Sequence, residues 1–304
     1  PGVASGGARR ALVVGINAYT EKPLSGCVAD ARLWEATLQG LGFTTTRLLD
    51  GEATYERLRT ELRYLVTSSR PGDVVVFQYA GHGTQVPDVD GDEDSGPDEA
   101  LCPVDLHTGA LFIDDDISDI LAELPAGVSF TFFLDSCHSG GSTRFGFGPA
   151  PRATGPGAQS RFLPMTPELV QAHLEFRKSR GRARVALARG ALRPLRGVLF
   201  AACQDNELAW EINGQGAFTL RATGILRDGL SGLTNAAFQD RVLGAFGAVR
   251  QQTPVLRAAD ELLDRPLLAP LDGATAGRGL AGAAPAALAD ELQRFAERLK
   301  GLHG

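Results

Sequence analysis

No apolar run in this chain approaches the roughly 18 residues that a membrane-spanning helix requires, and the first residues lack the apolar stretch of a secretory signal. Cysteine is scarce and scattered. The four present, Cys27, Cys102, Cys137 and Cys203, form neither a Cys-x-x-Cys pair nor a zinc-ligand spacing. That argues against a disulfide framework and for a reducing compartment, here expected to be the cytoplasm. Basic residues are outnumbered as well: 30 Lys and Arg against 36 Asp and Glu give a formal charge of −6. No basic patch interleaved with aromatics stands out, so nucleic acid and membrane are not expected partners.

What remains is an ordinary globular composition, 43% hydrophobic and 22% charged, on 304 residues with ample material for a core. Apolar runs at 11–16, 43–49 and 73–79 alternate with segments of helical spacing at 29–41 and 56–67. Strand, helix, strand, helix, strand predicts an α/β fold: a mostly parallel central sheet with helices on both faces, a three-layer sandwich. A fourth run at 128–134 and a fifth at 197–202 extend the sheet, helices follow at about 218–230 and 235–250, and 253–256 reads as an edge strand. Residues 1–9 are expected to be a flexible leader, 10–272 the main domain, and 273–304 an Ala/Gly linker with a short terminal helix.

Chemistry concentrates where two of these strands end. The run Tyr79-Ala80-Gly81-His82-Gly83 leaves one strand, and Asp135-Ser136-Cys137-His138-Ser139-Gly140 leaves another. In open α/β sheets ligands collect beyond the carboxyl ends of the strands, so neighbouring strands would bring a thiol and an imidazole to one rim. That pairing suits a cysteine nucleophile with a histidine base. Glycines around both allow close backbone approach, and the N–H groups of Gly83 and Cys137 are natural donors to an oxyanion. His138 adjoins Cys137, but neighbouring side chains diverge. His107, His173 and His303 carry no motif and are read as surface residues. A phosphatase loop requires five residues between Cys and Arg; from Cys137 to Arg144 there are six.

These two boxes closely resemble those of metacaspases, within the caspase-like cysteine peptidases and their bacterial orthocaspase-like members. The resemblance runs from about Arg10 to Leu256, with 142–196 divergent. It implies a caspase-like peptidase fold, with His82 and Cys137 as catalytic dyad. Asp30 and Asp135 would form a pocket for an Arg, or secondarily a Lys, before the cleaved bond. Expected partners are therefore protein or peptide substrates with that residue, and an upstream activating protease. A catalytically weak scaffold acting by protein binding is the alternative.

Residues 84–105 are dense in acid and read as a loop. They miss the EF-hand pattern, because Glu93 stands where the turn glycine belongs. The resemblance instead assigns Asp98, Asp114 and Asp115 to an activating calcium site. Arg144 falls where its fourth acid is expected, so no cofactor is taken to be required. Segment 142–196, rich in Gly and Pro at its start, also carries Arg144, Arg152, Arg161, Arg177 and further arginines. It leaves the nucleophile loop and returns to the adjacent strand. The expectation is that the intact segment occupies or distorts the cleft until it is cut after one of its arginines.

Overall fold

The computed structural model describes residues 7–86, 98–137, 158–180, 197–204, 207–247 and 252–271. The expected leader tip, residues 87–97 of the acidic loop, the Gly/Pro-rich start of the 142–196 segment and the C-terminal linker lie outside the described residues.

The first half alternates as predicted: β1 (Arg9–Gly15), α1 (Cys27–Gly40), β2 (Thr44–Leu49), α2 (Tyr55–Thr67) and β3 (Val74–Ala80). Then come β4 (Gly83–Val86), β5 (Asp98–Leu101), β6 (Phe112–Ile113), α3 (Asp114–Leu121) and β7 (Ser129–Asp135). The divergent segment contributes β8 (Gln159–Ser160) and α4 (Pro167–Ser179). Next are β9 (Val198–Ala201), β10 (Trp210–Ile212), β11 (Gln215–Gly216), α5 (Ala217–Arg227), α6 (Asn235–Phe246) and β12 (Val255–Arg257).

Six strands form the central sheet in the order β12-β9-β7-β3-β1-β2, parallel except for β12 at one edge. All seven residues of β3 are buried, as a central strand covered on both faces requires. On one face α2 presents Leu58, Leu62, Leu65 and Val66, begun by the Thr54 hydroxyl capping the Arg57 N–H. On the other, α1, α5 and α6 pack Trp34, Phe218 and Phe238 around Phe133 and Phe200. The result is the expected three-layer sandwich.

Two small antiparallel sheets sit outside this frame. One, β4-β5-β6, occupies sequence that reads as an acidic loop; its strands are short, and the intervening acids mask their apolar alternation. The other, β11-β10-β8, joins the divergent segment to the second half of the chain. Thr166 caps α4 with Pro167 in its first turn, matching the start signal in the sequence. His173 on that helix is not a surface residue: it is buried, with Nδ1 2.8 Å from the Gly109 carbonyl.

Phe133 stacks on Phe200 at 5.2 Å, meets Trp34 at 4.5 Å and Phe238 edge-on at 6.0 Å. Its truncation removes the centre of that face. Phe133→Ala should lower the free energy of unfolding by about 3–5 kcal/mol in urea titrations, and a loss below about 1 kcal/mol would contradict this packing.

Candidate active site

Register brings the two boxes together. β3 and β7 are parallel neighbours with Ala80 opposite Asp135, so His82 and Cys137 each lie two residues beyond one matched pair. The approach is close: a Cβ on Gly83 would stand 2.0 Å from the Cys137 carbonyl oxygen, so position 83 admits only glycine.

His82 is fully buried. Its Nε2 lies 2.7 Å from the Lys22 carbonyl, and its Nδ1 is buried without a partner. A carbonyl can only accept, so Nε2 carries the proton and Nδ1 the lone pair when the ring is neutral. Burial is the main cause of a pKa lowered from 6.5 to about 4, which keeps the ring neutral at pH 7. Behind it, Tyr19 accepts from the His82 N–H at 3.0 Å and donates to the Cys102 carbonyl at 2.8 Å. Asn17 steadies the Lys22 loop: its Oδ1 accepts from Cys27 N and its Nδ2 donates to the Ser25 carbonyl.

Cys137 is also buried, but its sulfur is engaged elsewhere. Sγ accepts from the Ala209 N–H at 2.8 Å and lies 3.4 Å from the Ala209 carbonyl. The structure thus brings the two boxes to one rim without a hydrogen bond between thiol and imidazole.

Asp30, in the first turn of α1, and Asp135, at the end of β7, converge on one guanidinium, that of Arg161. Nη2 donates to Asp30 Oδ2, and Nη1 donates to the Asp135 carbonyl at 3.0 Å. Nη1 also lies 3.0 Å from Asp135 Oδ1, an ion-pair distance without hydrogen-bonding geometry. A third carboxylate, absent from the sequence expectation, completes the pocket: Glu211 Oε2 stands 3.6 Å from Nη2. Its own oxygens are held by Ser25 and the Gly26 N–H.

The pocket is shaped from its back wall. A Cβ on Gly216 would lie 2.2 Å from Asp135 Oδ2 and 2.7 Å from both Arg161 Nη1 and Asp30 Oδ2. The Gly216 N–H donates to Asp30, and Thr219 donates to Asp135 Oδ2 through N–H and hydroxyl. Burial would lower the arginine pKa, but the carboxylates, Asp135 foremost, more than reverse it, so Arg161 stays charged. Burial pushes Asp30 up to about 6 against the restraint of Arg161.

Arg161 belongs to a strap that runs through the cleft as an added strand. Ser160 pairs with Trp210 and Gln159 with Glu211, antiparallel. The Arg161 N–H donates to the Ala209 carbonyl at 3.0 Å, and the Arg161 carbonyl accepts from Gly83 N–H at 2.9 Å. Beyond it, Leu163 N–H donates to the Gly83 carbonyl at 3.0 Å, and Thr84 Oγ1 donates to the Leu163 carbonyl at 2.7 Å.

Asp114 and Asp115 lie in the first turn of α3, while the side chain of Asp98 and all of Arg144 lie outside the described residues. Among the described residues no group of three or more His, Cys, Asp or Glu is placed to hold a metal ion. Burial, with Asp115 and Glu99 nearby, raises Asp114 to about 6. No described helix is long and apolar enough to cross a membrane.

Two buried groups of opposite sense set the acid response. The folded state favours neutral His82, so that contribution is complete above pH 6.5 and is lost as pH falls through about 4. The folded state favours protonated Asp30, so that contribution is complete below 3.8 and is lost as pH rises through about 6. The melting temperature of Asp30→Asn relative to wild type should therefore improve as pH rises from 4 to 7. That of His82→Gln relative to wild type should improve as pH falls from 6.5 to 4. Parallel curves for wild type and either variant would show that group to titrate normally in the fold.

Residues 9–144 match the family described as metacaspase, peptidase C14 domain. Metacaspase-1 of Coccidioides immitis is 38% identical over 147 residues, covering 44% of this chain and 32% of the relative. Metacaspase-1 of Schizosaccharomyces pombe is 35% identical over 148 residues, covering 45% and 35%. The chain thus spans about a third of the length of these curated relatives. A crystal structure of a Geobacter sulfurreducens protein superposes with a TM-score of 0.70 at 26% identity, over 87% of this chain and 100% of the other. That overlap takes in the second half of the sheet, whereas Arg161 and Glu211 lie past the stretch matched by the family. Residues 9–144, the span carrying Asp30, His82, Asp135 and Cys137, are thus similar to the metacaspase, peptidase C14 domain.

Proposed function

We propose that the chain is a cysteine endopeptidase that cleaves after arginine and is held closed by its own Arg161 until the Arg161–Phe162 bond is cut. One observation carries the reading. The strap sets a guanidinium on three carboxylates while its carbonyl accepts from Gly83, the backbone donor beside His82. An arginyl substrate about to react would be held the same way.

The chemistry follows from the residues present. With Nε2–H committed to Lys22, the Nδ1 lone pair takes the Cys137 proton, and thiolate attacks the arginyl carbonyl carbon. Charge gathers on the oxygen facing the Gly83 N–H. Collapse breaks the C–N bond, His82 returns the proton to the leaving amine, and water hydrolyses the thioester. Attack first requires Sγ to leave Ala209, so the intact strap combines a filled pocket with a sulfur turned aside. Specificity is electrostatic: without a cation, three buried carboxylates would go uncompensated. Lysine would meet fewer of them, lacking the planar fork that spans Asp30 and Asp135. Protein substrates bearing arginine, an activating protease acting on the same bond, and a cytoplasmic setting complete the proposal. The sulfur's bond to Ala209 also favours a second reading, a scaffold that never turns over.

Incubated wild type should yield a new N-terminus at Phe162 by intact mass and end-group sequencing, and then hydrolyse fluorogenic Arg peptides at least 100-fold faster than Asp or Leu peptides. Cys137→Ala should stay whole and inactive, His82→Ala should lose a factor on the order of 10² or more, and Arg161→Gln should escape cutting. A wild type that stays whole on incubation, and stays inactive once an added arginine-specific protease has nicked it, would favour the scaffold.

A further inference from the structure

Lys22 does two things at once. Its carbonyl accepts from His82, while its half-buried ammonium reaches back across the strap. Nζ lies 2.7 Å from the Phe162 carbonyl oxygen and 3.1 Å from Ser160 Oγ. These contacts fall one residue to either side of Arg161 and bracket the bond that the proposed function cuts. From this we infer that Lys22 is a substrate clamp. Its ammonium selects peptides bearing a hydrogen-bonding oxygen on the side chain before the arginine, and binds the first backbone carbonyl after the scissile bond.

The inference rests on the proposed arginine cleavage and extends it to the neighbouring subsites. A charged donor held against a carbonyl is among the stronger hydrogen bonds, and partial burial sharpens it. Burial also lowers the Lys22 pKa, while Cys137 acts in the opposite sense. The side chain has alternatives in solvent, so its commitment to two strap oxygens is a defined geometry. The clamp also distinguishes peptides from simple amides. An aminomethylcoumarin leaving group lacks the peptide carbonyl that Lys22 would hold, so such a substrate forgoes that contact.

The test uses ratios of kcat/KM within one enzyme preparation, which do not depend on how much of it has matured. Three substrates suffice: a quenched peptide containing Gln-Ser-Arg-Phe-Leu, the same peptide with Ala for Ser, and Gln-Ala-Arg-aminomethylcoumarin. Wild type should prefer the Ser peptide to the Ala peptide, and both to the coumarin. Lys22→Met keeps the backbone carbonyl on His82. It should erase the Ser/Ala preference and reduce the Ala-peptide-to-coumarin ratio roughly tenfold, the scale of one charge-assisted hydrogen bond. Lys22→Arg should restore part of the ratio. Ratios identical in wild type and Lys22→Met would overturn the clamp. So would an equal loss on all three substrates, which would place Lys22 in support of His82 alone. Failure of the wild type to cleave any of them after arginine would instead remove the proposed function beneath it.

Discussion

A guanidinium taken out of water costs several kcal/mol unless carboxylates follow it in, and carboxylates so placed cost as much when the cation is missing. Arg161 with Asp30, Asp135 and Glu211 is that mutual dependence, and much of the molecule is fastened to it. Asp30 ties in the start of α1, Asp135 the end of β7, Glu211 the β10 strand, and Gly216 and Thr219 the start of α5. Because one pocket draws on all of these, the divergent segment is joined to both halves of the chain through a single side chain. The negative charge exceeds the positive one inside a buried site. All three carboxylates are therefore supported by amides or hydroxyls beyond the arginine.

The imidazole is oriented by a neutral group. A carboxylate on Nε2 would draw the pKa of His82 up, since it favours imidazolium; the Lys22 carbonyl supplies direction with far less charge, and burial wins. The fold obtains this from a loop, since Lys22 sits in the exit from β1, pinned by Asn17 at one end and by the strap at the other. Changes in the strap therefore reach the base through one residue's side chain and carbonyl.

Much of this was legible in the residues. The buried strands are continuous apolar runs, and Tyr79 to Gly83 and Asp135 to Gly140 mark where two of them end. Asp30 and Asp135 converge on a cation supplied by the chain itself. Glu211 was not foreseen. Its signal is an acid between Trp210 and Ile212 in a short strand, and a local pattern does not show which face of such a strand is buried. Within 142–196 only Arg161 is followed directly by two large apolar residues, Phe162 and Leu163, which anchor it in the cleft. His173 shares helical spacing with Leu169 and Phe176, so its burial was readable as a stripe once α4 was recognised. The pairing of β4 with β5 joins segments separated in sequence by an acid-rich stretch, which no local propensity encodes.

Arg161 is attached to the pocket it fills, and that changes how competition works there. A free peptide enters at whatever concentration the solution holds; a tethered side chain presents itself at an effective concentration that is millimolar for a short flexible connection. Dilution leaves this figure untouched, and so does a rise in the amount of the protein itself. A soluble ligand of micromolar affinity would therefore have to be supplied in large excess to displace the strap. A cut after Arg161 changes the odds differently: it frees the Phe162 side, while the arginine, still joined to Asp30 and Asp135 through its own fragment, is tethered from one direction only.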